Sequence, residues 1–178
     1  VRDADTLETP VQRIRLYGEV LREFVERYDL LARGSETRVP APLWTACHEE
    51  ISAYLRSLFQ ADGFMTISRE RGCENARIAF AVIGERWTED VQILLGVLGI
   101  YSRRTHKTEK RSDLHEVAIS IGSERARFAE LVGFVDARKQ GKLLESLDLR
   151  NPKRCPDLRE EEIVAIEPLG AMEVYDIQ

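Results

Sequence analysis

Apolar residues recur three or four apart from Val11 to Leu31. Ile14, Tyr17, Leu21, Phe24, Tyr28 and Leu31 form one stripe, which predicts a first helix over that span. Gly34, Ser35 and Glu36 break the pattern, and Pro40 and Pro42 mark a connector. A second helix is predicted from His48 to Ala61, where Ile51, Tyr54, Leu55, Leu58 and Phe59 make a full apolar face. Ala53, Ser57 and Ala61 make a second stripe on the same helix, of side chains small enough for another backbone to come close. Gly63 is expected to end this helix in the manner of a C-terminal glycine.

Beyond it the period changes. Phe64–Ser68 and Arg77–Ile83 read as strands around a turn at Arg71, Gly72 and Cys73. A helix is predicted over Trp87–Leu98, then strands near Tyr101–Lys107 and Leu114–Ile121, then helices over Glu124–Val132 and Lys139–Leu147. In the last strand Val117, Ile119 and Ile121 alternate with Glu116, Ala118 and Ser120, as a sheet with one covered face requires. From His48 the order is helix, two strands, helix, two strands, helix. The expected fold class is therefore α+β, with an antiparallel sheet covered by helices on one side and open on the other. Asn151–Asp157, with Pro152 and Pro156, reads as a linker, and Ile163–Glu167 with Glu173–Ile177 as a short terminal hairpin.

Composition changes little in this picture, but charge changes more. The 178 residues are 43% hydrophobic and 32% charged, values of an ordinary globular chain and not of a disordered one. No apolar run approaches the roughly 18 residues that span a bilayer, the start carries no signal pattern, and a cytoplasmic location is expected. Val1 stands where an initiator Met would, so the chain is expected to be a fragment or a processed piece. Cys47, Cys73 and Cys155 lack zinc spacing and read as reduced thiols, while His48, His106 and His115 are scattered. The formal net charge of −5 argues against a polyanionic partner, but its distribution argues for one. Arg103, Arg104, Lys107, Lys110 and Arg111 face only Glu109 between Tyr101 and Arg111, whereas seven acids face only Arg159 after Pro156.

The segment Leu55-Arg56-Ser57-Leu58-Phe59-Gln60-Ala61-Asp62-Gly63 resembles the signature of the LAGLIDADG homing endonucleases. Further stretches are similar in order: the connector Arg38-Val39-Pro40 with Pro42-Leu43-Trp44-Thr45, the helix Glu89–Leu95 with Leu98-Gly99-Ile100, and Phe128 through Gly133-Phe134 to Lys139. Glu173–Ile177 looks like the strand near an intein's C-terminal splice site. The resemblance implies a homing-endonuclease-like αββαββα unit with a saddle-shaped sheet, the endonuclease of an intein, with a ribonucleotide reductase as one candidate host. It divides the chain into 1–37, a helical remnant of a first endonuclease half; 38–150, the LAGLIDADG unit; 151–162, a linker; and 163–178, a hairpin of the splicing domain.

The family pairs two such helices through their small residues, each delivering an acid that holds Mg2+ or another divalent ion against the scissile phosphates. Such hydrolysis needs hard oxygen ligands and an activated water. By the motif Asp62 is the metal-binding acid, with Gly63 beside it, and Gln60 replaces an often acidic residue but still offers a carbonyl oxygen. Lys139 matches the expected basic residue of the site, with Lys142 as runner-up. The sheet would lie along double-stranded DNA in the major groove, which makes Arg69, Arg71, Arg77, Arg103, Arg104, Lys107, Lys110 and Arg111 contact candidates. Arg56 stands where a small residue is usual. One signature gives one acid, so the partner helix must come in cis from a missing first half or in trans from a second chain.

Metal-dependent, site-specific double-strand cleavage is the first expectation. A binding module that no longer cuts, and a fragment of a splicing intein, are the rivals. Val1 offers no nucleophile and Gln178 precedes the His-Asn pair splicing needs, so this stretch is not expected to splice alone, and Asp176 is a candidate relic of that site.

Overall fold

The computed structural model describes residues 17–28, 30–70, 73–109, 112–149 and 164–168. Among the described residues five α-helices and four strands follow in the order α1 (Glu19–Arg27), α2 (His48–Ala61), β1 (Gly63–Glu70), β2 (Cys73–Val82), α3 (Glu85–Val97), β3 (Arg103–Glu109), β4 (Ser112–Ile119), α4 (Gly122–Leu131) and α5 (Ala137–Leu147). From α2 to α4 this is the expected αββαββα order, and α5 follows. The strands form one antiparallel sheet in the order β1-β2-β4-β3, so the two hairpins meet through β2 and β4 at its centre.

Helix α2 has the predicted bounds because its start is capped and its apolar face is continuous. The Cys47 N–H donates to the Glu50 carboxylate at 3.0 Å, and Glu49 and Glu50 place negative charge on the first turn. Ile51, Leu55, Leu58 and Phe59 are buried against the sheet. Phe59 lies 6.0 Å from Phe80 of β2 and 5.1 Å from Phe128 of α4, and Phe80 meets Trp87 of α3 edge-on at 5.2 Å, so one aromatic cluster joins every layer. Asp90 of α3 takes a bidentate ion pair from Arg38 at 2.6 and 2.7 Å and accepts the Val39 N–H at 3.2 Å. That contact fastens the connector before α2 to the middle of α3. Helix α3 ends with Gly99 at φ 69°, where Ile100 N–H returns to the Leu95 carbonyl at 2.8 Å, a closure that favours glycine.

Three expectations are corrected. The first helix does not run from Val11 to Leu31: it begins at Glu19, because Gly18 at φ 124° leaves the helical region, and it ends at Arg27. Residues 11–16 lie outside the described residues. No residue of α1 is buried, and Tyr17, Val20 and Phe24 are exposed, so the stripe does not enter the core. The first arm of the expected terminal hairpin, so far as residues 164–168 show it, is in no strand. The linker and the second arm lie outside the described residues. Gly63 does not close α2 with a left-handed turn: Asp62 is the C-cap and Gly63 opens β1.

The core predicts its own hierarchy. Phe80→Ala should lower unfolding free energy by about 3–5 kcal/mol, and Phe24→Ala on α1 should change it by less than about 0.5 kcal/mol, both read from urea denaturation.

Candidate active site and nucleic-acid interface

The end of α2 is built from close contact. A Cβ on Gly63 would lie 2.5 Å from the Phe59 carbonyl oxygen and 2.7 Å from its Cα, so β1 can leave the helix at this angle only from a glycine. The ammonium of Lys139 completes the turn, donating to the carbonyls of Gln60 at 2.7 Å, Gly63 at 2.8 Å and, more weakly, Phe59 at 3.4 Å. A cation there satisfies carbonyls that a helix leaves open and complements the negative end of its dipole. Lys139 is itself fixed at the start of α5, where its N–H donates to the N-cap Asp136 at 2.8 Å. Gln60 reaches the same place from α2, its Oε1 accepting the N–H groups of Val135 and Asp136 at 3.0 and 2.9 Å.

Asp62 emerges from this frame. Its side chain is exposed and makes no hydrogen bond or ion pair among the described residues. Ala53, Ser57 and Ala61, the small stripe leading to it, are exposed along the same helix. Arg56 does not obstruct the stripe: its Nε donates to the Val132 carbonyl at the end of α4. Among the described residues no three His, Cys, Asp or Glu side chains gather as a metal cage. The sites expected at Gln60 and Lys139 are thus tied down. The Gln60 oxygen is taken by two N–H groups, and the Lys139 ammonium by three carbonyls, one of them that of Gly63. Lys142 is exposed.

Strand register sorts the basic residues. Ile78 and Phe80 enter the core, so Arg77 and Ala79 between them face the open side. Ala118 is opposite both Ala79 and Arg103, which puts Arg103 on that side, and Lys107 four residues on shares it. Arg104 is opposite the buried Val117 and therefore faces the helices, where it pairs with Glu89 of α3 at 2.8 Å. Arg69 follows Met65 and Ile67 to the same side and pairs with Glu145 of α5 at 2.6 Å and Glu74 at 3.1 Å. Of the eight basic candidates, the structure brings Arg77, Arg103 and Lys107 together on the open face and turns Arg69 and Arg104 away. Arg71, Lys110 and Arg111, and the splicing candidate Asp176, lie outside the described residues.

One residue of the open face was missed. Glu116, only 4% exposed, sits at the centre of the open face and accepts from Arg77 at 2.8 Å and Lys107 at 3.3 Å. Arg77 also lies over the Phe64 ring at 5.8 Å. The signal was present, since Glu116 occupies an open-face position in the alternation of β4. His106 and His115, scattered in sequence, stack across β3 and β4 with ring centroids 4.5 Å apart.

With this geometry in view, comparison with known proteins is specific. Residues 49–133, from the first turn of α2 to just past the end of α4, match the LAGLIDADG-like domain family. The chain is 31% identical over 147 residues to a DNA polymerase of Thermococcus hydrothermalis, covering 79% of this chain and 8% of that protein. It is 26% identical over 190 aligned positions to the ribonucleoside-diphosphate reductase NrdEB subunit alpha of Bacillus subtilis, covering 96% of this chain and 17% of that protein. The chain therefore spans less than a fifth of either relative. Among solved structures, the homing endonuclease I-CvuI in complex with the I-CreI target aligns over 56% of this chain and 66% of its own, at 16% identity and a TM-score of 0.37. No helix among the described residues is long and apolar enough to cross a membrane.

The Lys139 cage makes a direct prediction. Lys139→Met should lower stability by about 1–3 kcal/mol, the worth of charge-assisted hydrogen bonds to otherwise open carbonyls. Lys142→Met should leave the melting temperature unchanged.

Proposed function

We propose that this chain is the DNA-cutting unit of an intein, a site-specific endonuclease that hydrolyses both strands of double-stranded DNA with Mg2+ or a similar divalent ion. The observation that carries this reading is Asp62, an exposed carboxylate without a partner among the described residues, held at the motif's acid position on a rigid helix end. Mg2+ is commonly held by one or two carboxylates with waters and substrate phosphates filling the rest of its shell. One free carboxylate beside a DNA-facing sheet fits that requirement. Asp62 would hold the ion, with the Gly63 carbonyl beside it once Lys139 shares that oxygen. The bound ion would supply an activated water and neutralise the leaving oxygen.

Double-strand cutting needs a second acid, and the exposed stripe of Ala53, Ser57 and Ala61 is where a second helix would dock, from a first half in cis or from another copy. The open-face cations Arg77, Arg103 and Lys107 would meet DNA, chiefly its phosphates. Support for the intein reading comes from the relatives: one short segment shared by a polymerase and a reductase is what an inserted element produces. We keep the division into a remnant over 1–37, the nuclease unit over 38–150, a linker over 151–162 and a segment of the splicing domain over 163–178. Arg38, at the start of the nuclease unit, is tied to Asp90 of α3.

One observation favours a second reading, DNA binding without cleavage. The Gln60 oxygen and the Gly63 carbonyl, both candidate metal ligands, are already engaged by protein donors. Specific binding that survives EDTA, with no nicking in Mg2+, would select it.

The nuclease reading is tested with a randomised duplex pool in Mg2+, scored for linear products. Asp62→Asn should cut at least ~10²-fold more slowly, as loss of several kcal/mol of metal-borne stabilisation requires. Equal cutting by wild type and variant would remove Asp62 from the site.

A further inference from the structure

Strand β4 accompanies β2 only from Ile78 to Val82, and the chain leaves the sheet at Ser120 to begin α4. The part of β2 before Ile78 therefore lacks a β4 neighbour, and Arg125 from α4 fills the gap. Its guanidinium donates to the carbonyls of Ala76 at 3.1 Å, Ser146 at 3.0 Å, and Ser120. Arg125 is 3% exposed, its Nε is buried with no partner, and no carboxylate pairs with it among the described residues. Burial pushes its pKa below the usual arginine value. A guanidinium stays charged all the same. A buried charge without a counter-ion is costly, and carbonyl dipoles offset that cost only in part.

Beside Arg125 lies a cavity of about 410 Å³, lined also by Thr66, Ser68, Asn75, Arg77 and Ser120. Thr66, Ser68, Asn75 and Arg77 belong to the open face of the sheet that carries the proposed DNA surface, and Glu74, Ala76 and Leu149 line the rest of the cavity. Ile121, the N-cap of α4, lines it too, and no side chain caps that helix, so its first N–H groups and positive dipole end are close by. The one carboxylate in the lining, Glu74, already pairs with Arg69 at 3.1 Å.

We propose that this cavity is a phosphate-binding site. Arg125 supplies an uncompensated buried charge, and the hydroxyls of Thr66, Ser68 and Ser120, the Asn75 amide and the α4 N-terminus are available as donors. Phosphate brings the missing negative charge and enough acceptor oxygens for a converging donor set. The site lies outside the Asp62 centre and needs no metal. Its assignment to a phosphate of the DNA backbone rests on the nuclease reading, whereas its affinity for phosphate does not.

The test is amide NMR of the full chain titrated with inorganic phosphate, against sodium chloride at matched ionic strength, followed by a non-specific DNA duplex. Saturable shifts are expected at Ser120, Gly122 and Ser123. Ser120→Asp, which offers Arg125 an internal carboxylate, should weaken phosphate at least about tenfold without lowering the melting temperature. Ser68→Asp, on an exposed strand position, should weaken it in the same direction. Arg125 itself holds three carbonyls, so its replacement is avoided. If the duplex displaces phosphate at these amides, the ligand is a DNA phosphate; if both bind independently, it is free phosphate. Absence of saturable shifts in wild type, or equal affinity in Ser120→Asp, overturns the site. Duplex binding elsewhere on the chain would then leave the nuclease reading standing. Phosphate binding with no duplex binding would do the reverse.

Discussion

The contact between Gly63 and Phe59 sets the geometry on which the candidate site depends. With no Cβ at residue 63, β1 leaves α2 across the Phe59 backbone at a separation that no other residue permits. Phe59 is at the same time the ring that joins β2 and α4 in the core. The helix end is therefore packed from inside by the aromatic cluster and from outside by Lys139, whose ammonium gathers the carbonyls of residues 59, 60 and 63. Gln60 adds the reciprocal tie to the start of α5. These contacts engage the Gln60 side-chain oxygen and the carbonyls of Phe59, Gln60 and Gly63, and leave the Asp62 carboxylate without a partner among the described residues. A site that must present one oxygen ligand in a fixed direction needs such support from side chains that do no chemistry themselves.

The sheet follows a related logic with charge. Among the described residues its open face carries Arg77, Arg103 and Lys107, and the buried carboxylate of Glu116 holds Arg77 and Lys107 in fixed positions. Preset cations lose less freedom when a polyanion arrives, and a partly neutralised patch discriminates between a loose and a well-matched contact better than free lysines would. Beyond the end of β4 lies Arg125, which no carboxylate pairs with among the described residues.

Much of this was legible in sequence because the periods are clean. Helix α2 has the predicted bounds, since its apolar face runs unbroken from Ile51 to Phe59. The four strands fell within a few residues of expectation for the same reason. Face assignment of the basic residues was not legible, because a one-residue step in a strand reverses the side chain. Arg104 and Arg69 look equivalent to Arg103 and Arg77 in composition, but register hands them to Glu89 and Glu145. The roles of Lys139, Gln60 and Arg56 were hidden for another reason: each bonds backbone atoms 75 or more residues away, which no local pattern encodes. The first helix was overextended because its stripe looked continuous through Gly18, where the backbone turns left-handed.

The central claim is that the free carboxylate of Asp62 is where a divalent ion binds. Mn2+ substituted for Mg2+ reports its own position by broadening nearby amide resonances. With a DNA duplex present, the account predicts broadening centred on Asp62 and Gly63 and lost in Asp62→Asn. Broadening centred elsewhere, or unchanged in that variant, would contradict it.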